Sequence, residues 1–554
     1  MTKLHVSFLW HYHQPYYMDP ATGRFAMPWV RLHAIKDYIG MANLLAEFPR
    51  VRPVINFVPS LVRQINEYLA GATDSAMMLA RAPAASLSLE GAAGVLRAGF
   101  ALNHETMIHP FPRFRGLLNR CRAAGGRAED VVDELAAGDL RDIQVWGNLA
   151  AFHPTVIEKD LELRELIRKG RGFTEGEKQF VLDRQLEVMA EIMPLYRRLA
   201  DAGQIELSTS PFYHPIIPLL CDHTKARAAR PTLALPAPMI SAPEDAAAQT
   251  ERAIARHEST FGRRPRGMWP PEAAVSDDAA AVFANAGIDW IVTDEEVLER
   301  TLGIRISRDD AGTVEQAGAL YRPYRLSRGG RELAVLFRDS ALSDLIGFAY
   351  HLRRPHDAAR DLLGHLERIR RKAPDDALVV IALDGENCWE FYPNQGVVFL
   401  RHLYRLLSET PDIELTHISE YLDRFGPGES LDTIFPGSWV AHCFAPWMGH
   451  WEKNLAWEHL ARARELYEAK AAEGGQPPEK LEAALEQIYI AEGSDWFWWY
   501  GEDHTAVGGA EFDALFREHV RKVYELLDAT PPDVLQETVV PQPACEPWMP
   551  AAAE

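Results

Sequence analysis

The stretch VVIALDGENCWEF, residues 379–391, decides the reading of the fold. Its first five residues are apolar or β-branched without alternation, the pattern of a strand covered on both faces in a parallel sheet flanked by helices. The run stops at Asp384 and Glu386, so acids sit at the strand's exit. Working outward, comparable runs recur at 4–10 (LHVSFLW), 53–58 (PVINFV), 204–210 (QIELSTS), 289–294 (DWIVTD) and 333–339 (LAVLFRD). Helical text fills the gaps at 33–48, 61–70, 177–202, 243–261, 276–287, 355–372 and 395–409. That alternation predicts a barrel-like α/β unit over residues 1–430, with helices around a parallel sheet. Between about 61 and 203 strands are sparse and long amphipathic segments dominate, which predicts a helical insertion on one sheet loop. After the Gly/Pro break FGPGESLD (425–432) the text is helical at 452–473, 478–490 and 510–527, which predicts a second, helical domain over 431–554.

Composition bounds what this architecture can do. A chain of 554 residues with 47% hydrophobic content and 14 tryptophans buries a large core in two or more packed units. The net charge of −21 repels phosphate backbones and anionic lipid, which excludes nucleic acid and membrane surfaces as expected partners and favours a neutral ligand. Five scattered cysteines (Cys121, Cys221, Cys388, Cys443, Cys545) form no CxxC pair, against both a disulfide framework and a zinc knuckle. The N-terminal apolar run is short and interrupted by His5, and no segment approaches the roughly 18 apolar residues of a membrane helix. A soluble, cytoplasmic chain is the expectation.

In parallel α/β sheets ligands bind beyond the carboxyl ends of the strands. These exits are loaded here: Trp10, His11, His13 and Gln14; Glu206 followed by His214; Trp269 and Glu272; Arg338 and Asp339; Asp384, Glu386, Trp389 and Glu390. Each has a plain structural explanation on its own, since a strand-terminal Asp or Glu commonly caps the next helix and a lone His or Trp commonly packs in a core. The tryptophans of SDWFWWYGED (494–503) read equally well as helical core. Five exits bearing acids or aromatics in one predicted fold point instead to a sugar site, where indoles stack on pyranose faces while acids and imidazoles hydrogen-bond hydroxyls.

On these residues the chain resembles glycoside hydrolase family 57. HYHQP (11–15), GQIELSTSPFYHPIIPLL (203–220), RGMWPPEAAVSDD (266–278) and IALDGENCWEFYPNQG (381–396) resemble that family's ordered signature blocks, and GSWVAHCFAPWMGHWEKNLAWEHL (437–460) and AEGSDWFWWYGED (491–503) its helical-domain segments. The resemblance implies an incomplete (β/α)7 barrel with a C-terminal helical-bundle domain completing the cleft, no cofactor or metal, and an α-glucan as partner. It also implies that Glu272 is the nucleophile and Asp384 the general acid/base of a retaining glycosidase. His11, His13, Glu206 and Glu386 would hold hydroxyls next to the cleaved bond, with Trp269, Trp389, Trp447 and Asp495 lining the cleft. Hydrolysis of α-1,4 bonds, of α-1,6 bonds and transfer to another glucan share the first half-reaction; the C-terminal blocks favour an α-amylase or amylopullulanase-like hydrolase over a glucanotransferase or branching enzyme. Two other classes stay open. A metal-dependent polysaccharide deacetylase uses a related barrel, although none of the 20 histidines has another four residues on and the closest spacings are His104/His109 and His351/His356. A non-catalytic glucan-binding protein would need the tryptophans alone.

Overall fold

The computed structural model describes residues 3–125, 127–502 and 509–540; Cys545 and Asp503 lie outside the described residues. Seven parallel strands close on themselves: β1 (Leu4–Tyr12), β2 (Val54–Phe57), β3 (Glu206–Thr209), β4 (Gly267–Met268), β5 (Trp290–Asp294), β6 (Arg331–Arg338) and β7 (Leu378–Asp384). Each pairs with the next in chain order and β7 returns to β1 over seven residue pairs, from His5↔Leu378 to His11↔Asp384. Three shorter strands extend the sheet outside this ring: Tyr324–Arg328 antiparallel to β6, Glu429–Leu431 beside it, and Ile413–Leu415 beside β1.

The unbroken apolar run of β7 has its explanation in the period-2 geometry of a strand with two buried faces. Leu378, Val380 and Ala382 point into the barrel, where they meet Leu9, Val54, Trp290, Val292, Ala334 and Leu336. Val379, Ile381 and Leu383 point outward into the layer of surrounding helices. Ile418 and Tyr421 close the barrel floor. Every side chain of this kind taken from water stabilises by about 1.5–3 kcal/mol, and the closed sheet makes both faces contribute.

The sequence reading finds six of the seven strands. It misses β4, which is two residues long and carries no periodicity. Gly267 is required there: a Cβ at this position would come within 1.9 Å of the Trp290 ring, so the neighbouring strand's indole occupies the space a side chain would need.

The helical insertion separates β2 from β3. Its longest member, α1 (Glu175–Asp201), opens with a capping box in which Thr174 and Glu177 exchange side-chain-to-backbone bonds of 2.7 and 3.2 Å. Its buried stripe of Val181, Gln185, Val188, Ile192, Tyr196 and Leu199 follows helical spacing, and Tyr196 donates 2.8 Å to the Tyr38 carbonyl behind β1. The C-terminal text forms α2 (Trp451–Glu473), α3 (Pro478–Ala491) and α5 (Gly509–Leu526), with a further short helix, α4 (Ser494–Trp498), that the sequence reading did not separate. The turn before α4 touches the barrel mouth: Gly493 bridges Pro215, and Ser494 N–H donates 3.0 Å to the His214 carbonyl. A Cβ on Gly493 would meet the Tyr213 carbonyl oxygen at 2.9 Å, so only glycine permits this approach. No helix among the described residues is long and apolar enough to cross a membrane.

Candidate active site

Strand parity builds the site. With Leu9 facing the barrel interior, His11 faces it too, and His13 follows one residue past the strand's end; with Leu378, Val380 and Ala382 inward, Asp384 is the next inward side chain. Register sets His11 beside Asp384, so imidazole and acid leave the sheet at one level. The turn after β7 is tied down by Gly385 N–H donating 2.8 Å to the His11 carbonyl, and Asn387 Nδ2 donates 2.9 Å to Asp384 Oδ2. Burial pushes the Asp384 carboxyl upward, against the pull of Asn387, His13 and Arg338. Glu386 folds back behind this turn and accepts from His13 N–H (3.0 Å), Tyr38 OH (3.2 Å) and Gln14 Nε2 (3.4 Å). Burial holds its carboxyl well above the usual range, with the Asp384 charge adding to the rise.

Glu272 arrives by a strained route. Pro270 and Pro271 follow Trp269, and then Glu272 and Ala273 both adopt left-handed backbone, with φ of 57° and 50°. Such residues cost about 1–3 kcal/mol each and persist where surrounding bonds over-determine them. Here the Glu272 carbonyl accepts from Trp439 N–H at 3.1 Å and the Ala273 carbonyl from Thr293 Oγ1 at 2.7 Å. The result aims the Glu272 carboxyl into the cleft, where Trp439 Nε1 donates 2.9 Å to Oε2 and 19% of the side chain still reaches solvent. Burial pushes this carboxyl up to about 8; the Trp439 bond opposes the rise, and the charges of Asp384 and Asp495 add to it. Glu272 therefore feels the Asp384 charge across the cleft.

Three imidazoles stack between them. His214 lies 3.9 Å from His13 and 5.0 Å from His11, centroid to centroid, and its own backbone is left-handed (φ 59°). The segment before and within α4 fixes two of these rings: Ser494 Oγ is 3.0 Å from His214 Nδ1, and both Asp495 carboxylate oxygens are 2.9 Å from His13 Nε2. His11 Nδ1 meets Asn56 Oδ1 at 2.7 Å. Burial, with His13 beside it, pushes His11 down to about 3, and burial pushes His214 well down, so both rings are neutral at pH 7. Four deeply placed polar atoms have no partner among the described residues: His13 Nδ1, His214 Nε2, Trp269 Nε1 and Glu386 Oε2. Buried donors and acceptors left this way cost about 1–3 kcal/mol each, which a polyhydroxylated ligand can recover.

Of the predicted site residues the structure thus gathers His11, His13, His214, Glu272, Asp384, Glu386 and Asp495, with Trp269 packed beneath them against His11 and Trp439. Arg338 is close behind: it pairs with Asp294 at 2.8 Å, and its guanidinium lies 5.0 Å from the Trp439 ring centroid. Four placements need correction. Glu206 is the first residue of β3 rather than an exit residue; it sits at the level of Leu9, one inward layer below His11, and its carboxylate is taken by Ser419 and the Trp290 indole. Asp339 caps the following helix through Leu342 N–H (3.0 Å) and binds Arg308 and Tyr321. Trp389 is 2% exposed, its Nε1 donating to the Gly385 carbonyl, and Trp447 is fully buried against Trp498, so neither offers a stacking face. The half-buried ring at the mouth is Trp439, which strand-end reasoning missed because it belongs to the loop after the barrel; Ser494 was missed because it opens α4, far along the chain from any strand exit. Among the described residues no three His, Cys, Asp or Glu side chains are arranged to hold a metal ion.

Fold and cleft define a closed parallel α/β barrel whose mouth brings two carboxyls together under a helical segment. The chain belongs to glycosyl hydrolase family 57, whose family model matches residues 7–433. It is 25% identical over 243 residues to a 4-alpha-glucanotransferase of Thermococcus kodakarensis, covering 43% of this chain and 30% of that protein. To a 1,4-alpha-glucan branching enzyme of the same organism it is 21% identical over 452 residues, covering 66% and 62%. The matches to the glucanotransferase and to an alpha-amylase of Pyrococcus furiosus (23%) each span 30% of those relatives' length. A branching-enzyme structure from Pyrococcus horikoshii shares the fold over 99% of this chain and 98% of its own, with a TM-score of 0.57 at 17% identity.

Proposed function

We infer that this chain is a retaining α-glucan glycosidase in which Glu272 attacks the anomeric carbon and Asp384 serves as acid and then base. The observation that carries the reading is geometric: Glu272 and Asp384 leave different strand exits onto one stack of imidazoles, with His214 Nδ1 3.8 Å from Glu272 Oε1 and His11 in register with Asp384. A glycosidic bond breaks through an oxocarbenium-like state, which needs a proton donor on the leaving oxygen and a carboxylate on the opposite face of the ring. Burial raises both acids, so the pair keeps one proton between them; attack uses the arrangement in which Glu272 is ionised and that proton sits on Asp384, from which it passes to the leaving oxygen. Once Glu272 is esterified its charge disappears, and Asp384 becomes the natural acceptor of a proton from the incoming hydroxyl. His11 and His214 donate to or accept from sugar hydroxyls as neutral rings, and the unpartnered atoms around them match a polyol. The relatives' names support an α-glucan as substrate.

Hydrolysis of α-1,4 bonds, with α-1,6 bonds as a further substrate, is the first reading. Nearly whole-length likeness to a branching enzyme favours a second, in which another glucan chain replaces water as acceptor. Incubation with amylose, pullulan and maltotriose separately tests both: reducing sugar from amylose supports hydrolysis, new branch points without reducing ends support transfer. No change in any of the three glucans sinks the assignment.

A further inference from the structure

We propose that the exposed apolar rim formed by Phe348, Leu352 and Phe391 is the stacking surface for the accepting glucan chain, on the Asp384 side of the cleft. It rests on the carboxylate-pair reading above. Phe348 is 76% exposed, Leu352 80% and Phe391 39%, three large apolar side chains turned to solvent near one strand exit. The segment that carries the first two is irregular by design: Ser340–Asp344 is α-helical, Leu345–Ala349 is a π-turn and Tyr350–Leu352 is a 3-10 turn. π-Turns of this kind gather at functional sites, where they re-aim side chains.

The rim is bolted to the strand that ends in Asp384. Ser343 Oγ accepts from Ala382 N–H at 3.1 Å, and Tyr392 OH donates 2.6 Å to the Ile346 carbonyl. The His351 ring, next to Leu352 in the chain, lies 5.8 Å from the Phe391 ring, so the two segments meet. Topology sets the side of the cleft: the segment follows β6, whose neighbour is β7 with Asp384, whereas Glu272 follows β4, two strands away. The acid/base group touches the leaving oxygen first and the accepting oxygen second, so the chain attached to that oxygen runs outward over whatever flanks Asp384. In transfer, the acceptor hydroxyl gives its proton to Asp384, its oxygen bonds to the anomeric carbon, and the ester bond to Glu272 breaks. An apolar rim that holds a glucan chain there and displaces water raises transfer relative to hydrolysis.

The test is the double variant Phe348→Ser/Leu352→Ser, both sites being surface positions, compared with wild type on maltoheptaose in the presence of maltose. The ratio of transfer products to released reducing sugar is expected to fall about fivefold to tenfold, with a matching rise in the maltose concentration giving half-maximal transfer. A Phe348→Tyr/Leu352→Met variant, which keeps the apolar faces, is expected to restore the ratio. An unchanged ratio in the serine variant overturns the proposal, as does a change in sedimentation mass, which would show the rim to be a contact between copies of the chain. Absence of any glucan cleavage by wild type would instead fail the glycosidase reading and this inference with it.

Discussion

Replacing Glu272 with Gln should make the protein more stable at alkaline pH, and by an amount the structure sets. In the fold this carboxyl is pushed from an ordinary 4.5 up to about 8. Because the folded value lies above the unfolded one, the folded state holds the proton more tightly. Stability contributed by the protonated group is complete below pH 4.5 and is lost as pH rises through about 8. A gap from 4.5 to about 8 corresponds to at most about 5 kcal/mol at alkaline pH, at about 1.4 kcal/mol per tenfold. Since 19% of the side chain reaches solvent, screening leaves roughly 2–3 kcal/mol. Gln copies the shape of protonated Glu and keeps an oxygen for the Trp439 indole, so the variant escapes the loss. Urea unfolding at pH 4.5 and pH 8.5 reads the difference. Wild type and Glu272→Gln should coincide at the lower pH, and the variant should gain about 2–3 kcal/mol at the higher, roughly 2–3 °C in Tm for a chain of this length. Equal stabilities at both values, or a variant weaker at pH 8.5, would refute the claim that the fold holds this acid under electrostatic strain.

Other outcomes follow from single contacts. Trp439→Phe removes the donor that opposes the rise of Glu272 while keeping an aromatic ring near Arg338; the acidic limb of the kcat/KM profile should move to higher pH and kcat should fall about tenfold. Ser494→Ala takes away the hydroxyl on His214 Nδ1 (3.0 Å) and should raise KM for maltooligosaccharides severalfold, at a stability cost of about 1 kcal/mol by thermal unfolding. Gly267→Ala forces a methyl against Trp290, whose ring lies 1.9 Å from the position the Cβ would take, and should destabilise by about 3 kcal/mol or more in a urea titration.

Much of the fold was legible because its physics is local. A two-sided apolar strand announces itself, and six such runs separated by amphipathic helices leave few alternatives to a barrel. β4 escaped because Gly267 and Met268 are too few to show a period, and what fixes them is the Trp290 ring from the next strand. The site was readable where parity operates: His11 and Asp384 are inward residues at strand exits, His13 follows one residue past the first of these, and sequence alone places them together. Glu206 shows the limit of that argument: it lies at the start of its run and opens β3, so its carboxylate sits in the layer below the mouth, and the strand exit is followed by His214 instead. Asp339 and Trp389 followed the commoner fate of their residue types, cap and core. Trp439 and Ser494 belong to segments that meet the barrel only through long-range packing, which periodicity does not report.

The central claim is that Glu272 forms a bond to the sugar. Incubation with a fluorinated α-glucosyl fluoride, which slows breakdown of a glycosyl-enzyme, followed by proteolysis and mass mapping, reads it directly. A single added sugar is expected on the peptide containing Glu272, and none on that peptide in Glu272→Gln. A label on Asp384, or turnover of the fluoride with inverted product and no label at all, would contradict it.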